Sequence, residues 1–134
     1  MITLYFATLF KALGENTRIR IVKLLSIKPM YVCELESILQ ISQPRISQHL
    51  RILKQADLLH AHKEGQRTIY SLNQQNFDTL WHTFQNFLAK PLEELPEFEM
   101  EIKRIEAVSQ DPAISICKSQ GKISTPTPAT PAKK

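Results

Sequence analysis

Residues 43–56 bury their apolar groups in one way only. At ~100° per residue, Ile46, Leu50 and Leu53 fall on a single helical face. Opposite them lie Pro44, Gln48, Arg51 and Gln55, flanked by Arg45, Ser47 and Lys54, and this outer face carries no acid. Ser42 stands at the cap position, and Pro44 sits in the first turn, where a missing N–H costs little. The outward groups are guanidinium, amide and hydroxyl, the types that read base edges and hold phosphates.

The segments on either side of this helix narrow the fold further. Residues 58–63 and 67–72 read as two short strands joined by Glu64-Gly65-Gln66, with Gly65 supplying the turn and Lys63 and Arg67 flanking the tip. Towards the N-terminus, residues 3–13 predict a helix stopped by Gly14. Asn16 or Thr17 then caps a second helix to about residue 27, carrying Ile21, Leu24 and Leu25, and Lys28-Pro29 ends it. A third helix over 32–39 carries Val32, Leu35, Ile38 and Leu39. Two helices with a tight turn, followed by a basic-tipped hairpin, make a winged helix-turn-helix, mainly α with a small β-hairpin. Its second helix enters a major groove and its hairpin lies along the backbone.

A fifth helix over 74–88 carries an aromatic stripe of Phe77, Leu80, Trp81, Phe84, Phe87 and Leu88. Such a stripe is either core or a helix-to-helix dimer seam. Pro91 breaks that helix, an acidic run comes next, and Phe98, Ile102 and Ile105 suggest one more amphipathic helix to about residue 110. The expected organisation is therefore a DNA-binding and dimerisation domain over 1–90, an acidic helical extension over 91–117 and a disordered, basic, Pro-rich tail over 118–134.

Charge obeys the same division. Residues 1–76 hold ten basic and five acidic side chains, residues 77–117 hold three and eight, and residues 118–134 hold four and none. The basic half suggests a polyanion partner. Only Cys33 and Cys117 are present, too few for a disulfide framework, so a reducing, cytoplasmic setting is expected. No apolar run reaches the ~18–20 residues of a membrane span, and residues 1–10 read as a helix start, not a signal peptide. Three glycines in the chain argue against phosphate-cradling loops. No spacing suggests a nucleophile–base arrangement, so an enzyme is not expected. The competing reading is a winged-helix module that docks a protein; steep salt dependence of duplex binding separates the two.

Leu9-Phe-Lys-Ala-Leu13, Thr17-Arg-Ile-Arg-Ile21 and Leu24-Leu25 resemble the opening of the ArsR/SmtB family of bacterial repressors. Ser42-Gln-Pro-Arg-Ile-Ser-Gln-His-Leu-Arg-Ile-Leu53 is similar to that family's recognition helix, and Lys63-Glu-Gly65, Arg67 and Tyr70 to its wing. The resemblance covers about residues 6–88. It implies a homodimeric repressor on an inverted-repeat operator, dimerising through its terminal helices, here Leu4, Leu9, Phe77, Leu80, Trp81, Phe84 and Leu88. It also implies DNA contacts from Ser42, Gln43, Arg45, Ser47, Gln48, His49, Arg51 and Lys54, with Lys63 and Arg67 from the wing. For His49 a structural hydrogen bond stands as an equal alternative, because its helical phase lies nearer Leu53.

Members of the family are released by an inducer, often a metal or metalloid. Val32-Cys-Glu-Leu35 resembles the sensor-helix segment, yet of a three-cysteine pattern only Cys33 is present. A soft metalloid favours several thiolates. Three readings of Cys33 stay open: an exposed cysteine without a role, a redox sensor paired with Cys117, or a thiophilic metal or metalloid site shared with Cys117. The family's zinc ligands on the last helix are not matched. Asp78 with His82 reads as a solvated pair that could at most make a weak two-ligand site, and His60 with His62 reads as a solvent-facing strand.

Overall fold

The computed structural model describes residues 1–120. The chain divides into two units, Met1–Lys90 and a second that begins at Pro91. No helix among the described residues is long and apolar enough to cross a membrane.

In the first unit, α1 (Ile2–Leu13) turns Phe6, Leu9, Ala12 and Leu13 inward. Gly14 ends it with φ −79°, not in a left-handed cap, and a Cβ there would meet the Phe10 carbonyl at 3.1 Å. Close approach to the preceding turn, not a special φ, makes glycine fit. The second helix, α2 (Asn16–Leu25), is capped by Glu15, one residue before the expected Asn16 or Thr17: its carboxylate accepts from the Arg18 N–H at 3.0 Å. Helix α3 (Val32–Leu39) ends at Gln40, in left-handed conformation at φ 57°. Helix α4 (Gln43–Gln55) begins soon after and buries Ile46, Leu50 and Leu53. These three, with Ile21, Leu35, Leu58 and Leu80, are the largest fully buried side chains among the described residues. Each is worth about 1.5–3 kcal/mol by area removed from water.

The hairpin consists of β2 (Leu59–Glu64) and β3 (Arg67–Leu72) in an antiparallel pair whose last rung is Glu64↔Arg67. Gly65 and Gln66 alone make the loop, with Gly65 at φ +64°, as a two-residue turn with glycine at its first central position requires. A third strand, β1 (Met30–Tyr31), pairs antiparallel with β3, giving the order β1-β3-β2. Two residues are too few to show a period-2 pattern, so this strand has no signature in the sequence.

Helix α5 (Gln74–Ala89) packs back on α1 through rings: Phe84 lies 5.0 Å from Phe6 and 4.9 Å from Phe10, and Phe87 5.1 Å from Phe6. The carbonyl of Asp57, just past α4, accepts from both Asn73 Nδ2 (2.9 Å) and Asn76 Nδ2 (2.7 Å), which ties the end of α4 to the start of α5.

The second unit holds short 3-10 turns at Leu92–Glu94 and Pro96–Phe98, then α6 (Glu99–Ser109) and α7 (Pro112–Gln120). Helix α7 takes in residues 118–120 of the tail expected to be disordered; the rest of that tail lies outside the described residues.

Candidate nucleic-acid interface

Burial of Ile46, Leu50 and Leu53 sets the rotation of α4, and that rotation exposes Gln43, Pro44, Arg45, Gln48, Arg51 and Lys54. Ser47 is half-buried, and its Oγ accepts from Gln43 Nε2 at 2.8 Å. This bond orients the Gln43 amide at the start of the helix, the end that carries a partial positive charge. Ser42 occupies the cap position, but its hydroxyl makes no capping bond; its carbonyl accepts from the Ile46 N–H at 3.0 Å. Lys63 and Arg67 are exposed on the hairpin.

His49 lies elsewhere. Its side chain is 15% exposed and faces the junction of α1 and α2. Arg18 Nη1 lies 3.2 Å from His49 Nδ1, Arg18 Nε donates to the Ala12 carbonyl at 2.6 Å, and Glu15 Oε2 is 3.7 Å from His49 Nδ1. The Arg18 contact is the structural hydrogen bond that stood beside a DNA contact as a reading of His49. The Glu15 carboxyl is held below the ordinary carboxylate value, first by its bond from the Arg18 N–H, while desolvation works the other way.

Between the first turns of α3 and α4 and the strand β3 runs a groove of about 400 Å³. Cys33, Glu36, Gln43, Ser47 and Arg67 line it, and Tyr31 stands at its wing side. The Arg67 guanidinium lies over the Tyr31 ring, 4.5 Å from its centre, and the Tyr31 hydroxyl donates to the Glu64 carboxylate. That carboxylate pushes the phenol above its ordinary value of 10.0, so the hydroxyl stays a donor. Tyr31 gives no signal in the sequence, because its hydroxyl's partner is 33 positions away, across a strand too short to recognise.

Cys33 is exposed and free on the groove wall; Cys117, in the second unit, is also exposed and free. No group of three or more His, Cys, Asp or Glu placed to hold a metal occurs among the described residues. His60 and His62 lie on β2, the first exposed and the second likewise. His82 is exposed too, and Asp78 accepts from Gln74 Nε2 at 3.0 Å.

The expected dimer seam splits in two. Leu9, Phe77 and Leu80 are buried in the protomer. Phe84 is half-buried in the ring cluster with Phe6 and Phe10. Leu4, Trp81 and Leu88 remain 64%, 51% and 67% exposed.

A helix-turn-helix with a solvent-facing, acid-free second helix and a three-stranded wing defines a winged helix-turn-helix DNA-binding protein. Residues 15–61 match the model of the arsR family of bacterial regulatory proteins. The transcriptional repressor SdpR of Bacillus subtilis (strain 168) is 38% identical over 81 residues, 60% of this chain and 90% of that protein. The arsenical resistance operon repressor of Escherichia coli (strain K12) is 44% identical over 66 residues, 48% of this chain and 56% of that one. Among solved structures, reduced HlyU from Vibrio cholerae N16961 superposes with a TM-score of 0.50 at 34% identity, over 52% of this chain and 74% of its own. The chain belongs to the arsR family of transcriptional regulators.

Proposed function

We propose that this chain is a homodimeric, cytoplasmic repressor that binds an inverted-repeat operator and lets go when a thiol-directed signal reaches Cys33. The outer face of α4 carries this reading: Gln43, Arg45, Gln48, Arg51 and Lys54 stand exposed without an acid among them, beside a basic wing. In that role Gln43 and Gln48 read base edges, while Arg45, Arg51, Lys54, Lys63 and Arg67 meet phosphates. Exposed Leu4, Trp81 and Leu88, on helices that pack against one another, support self-association through α1 and α5. SdpR and the arsenical resistance repressor are both regulators, which supports a regulator and not an enzyme.

Cys33 is the thiol that the first unit offers to such an inducer. One thiol is available on that groove wall, with a carboxylate, Glu36, one turn further on. A group added there enters the groove between α4 and the wing, where it competes for the space the DNA backbone needs.

Nuclease footprinting on DNA upstream of the coding sequence tests the proposal. Protection of two half-sites about 10 base pairs apart is expected. Protection lost on thiol modification of the wild type but kept in Cys33→Ser supports the signal; equal loss in both overturns that part alone.

A further inference from the structure

The backbone of Tyr31 is held twice before its side chain reaches the wing. Its backbone pairs with β3 opposite Ile69, its N–H donates to Glu34 Oε1 at 3.0 Å, and Lys28 Nζ lies 3.8 Å from the other Glu34 oxygen. The side chain thus projects from a fixed point towards the wing tip. There it meets two opposite charges that face each other across the hairpin, Glu64 and Arg67. Direct cross-strand neighbours of opposite sign attract and neutralise each other. Tyr31 divides them: its hydroxyl takes the carboxylate, and its ring takes the flat face of the guanidinium. A stacked guanidinium keeps its N–H edges available, and those edges are what hold a phosphate. Arg67 lines the same groove as Gln43 and Ser47, so its edge is presented beside the start of α4.

We propose that Tyr31 is a positioning residue for operator binding, holding Arg67 apart from Glu64 so that the wing offers a pre-aimed cation to the DNA backbone. This rests on the DNA-binding reading above. It also predicts which substitutions compensate for one another. Tyr31→Leu removes both ring and hydroxyl and lets Glu64 and Arg67 pair. Tyr31→Phe keeps the ring.

Fluorescence anisotropy on the operator duplex, with the full-length chain, tests it. Tyr31→Leu is expected to weaken binding about threefold per wing, so about tenfold for a two-winged dimer, and Tyr31→Phe less than half as much on a logarithmic scale. Adding Glu64→Gln to Tyr31→Leu is expected to restore affinity to within about twofold of Glu64→Gln alone. In an Arg67→Ala background, Tyr31→Leu is expected to change neither affinity nor salt slope. Additive losses from Tyr31→Leu and Arg67→Ala, or no loss from Tyr31→Leu, overturn the proposal. If Tyr31→Leu melts below the assay temperature, the same cycle with Tyr31→Phe decides by the same criterion. Failure of the wild type to bind any duplex defeats the DNA-binding reading instead, and is seen before any variant is made.

Discussion

Arg18 and His49, 31 positions apart, meet at 3.2 Å where α4 crosses the junction of α1 and α2. The guanidinium has only donors, so in this contact Arg18 donates towards the imidazole nitrogen. The recognition helix is therefore pinned by a side chain on its inner flank, close to the buried Leu50 and Leu53. His49→Ala is expected to destabilise the fold by about 1 kcal/mol, read from urea unfolding, and to leave the salt slope of DNA binding unchanged. A flatter slope with unchanged stability would make His49 a phosphate contact after all.

Glu15 joins the same junction and supplies a pH dependence. Its carboxyl is depressed below 4.5, chiefly by the Arg18 N–H bond. A depressed carboxyl contributes stability that is fully present above the ordinary value and is lost as pH falls through the depressed one. Wild type is expected to exceed Glu15→Gln in melting temperature at about pH 7, with the gap closing as pH drops below 4.5. A gap that persists undiminished at about pH 2 would contradict this origin of the cap's strength.

On the outer face, Gln43 and Arg51 are expected to behave differently. Gln43, oriented by its bond to Ser47, faces base edges in the proposed complex. Gln43→Ala should relax discrimination at one operator position, by about 1–3 kcal/mol. Arg51→Ala should weaken binding to all sequences alike and flatten the salt slope by about one unit. Equal losses on every duplex from both variants would show that α4 does not read bases.

Self-association is best probed where the protomer keeps its surface exposed. Phe84→Ala would empty part of the Phe6–Phe10 cluster and cost about 3 kcal/mol, confusing folding with assembly. Leu4→Asp with Trp81→Ala changes two exposed side chains instead. Light scattering is expected to report half the wild-type mass with the melting curve still cooperative. Undiminished mass would place the dimer contact elsewhere.

The architecture is legible in the sequence where the pattern is periodic and local. The apolar triad of α4, the glycine turn at Gly65 and the broken helix at Pro91 all act through neighbours along the chain. Features without such a signature act over distance or in two residues. Strand β1 is too short to alternate, and Tyr31 finds its partners only after β1 joins β3. His49 carries a hint in its helical phase, but Arg18 becomes its partner only once α2 and α4 cross. The α5 stripe cannot be divided from sequence, because Leu80 and Trp81 are adjacent and both large and apolar; in the folded chain Leu80 is buried, while Trp81, its ring 6.2 Å from that of Phe10 on α1, stays exposed. For Glu15, the extended backbone that precedes α2 moves the cap one residue earlier than its polar neighbours suggest.

Specific duplex recognition by α4 and the wing is the central claim. Its most direct measurement is anisotropy of a labelled duplex from the chain's own upstream DNA, against a scrambled duplex, across a salt series. Recognition by these two elements predicts a linear fall of log affinity with log salt, with a slope of several units, and a preference for the upstream duplex of at least about a thousandfold. Equal affinity for both duplexes, or affinity indifferent to salt, would contradict it.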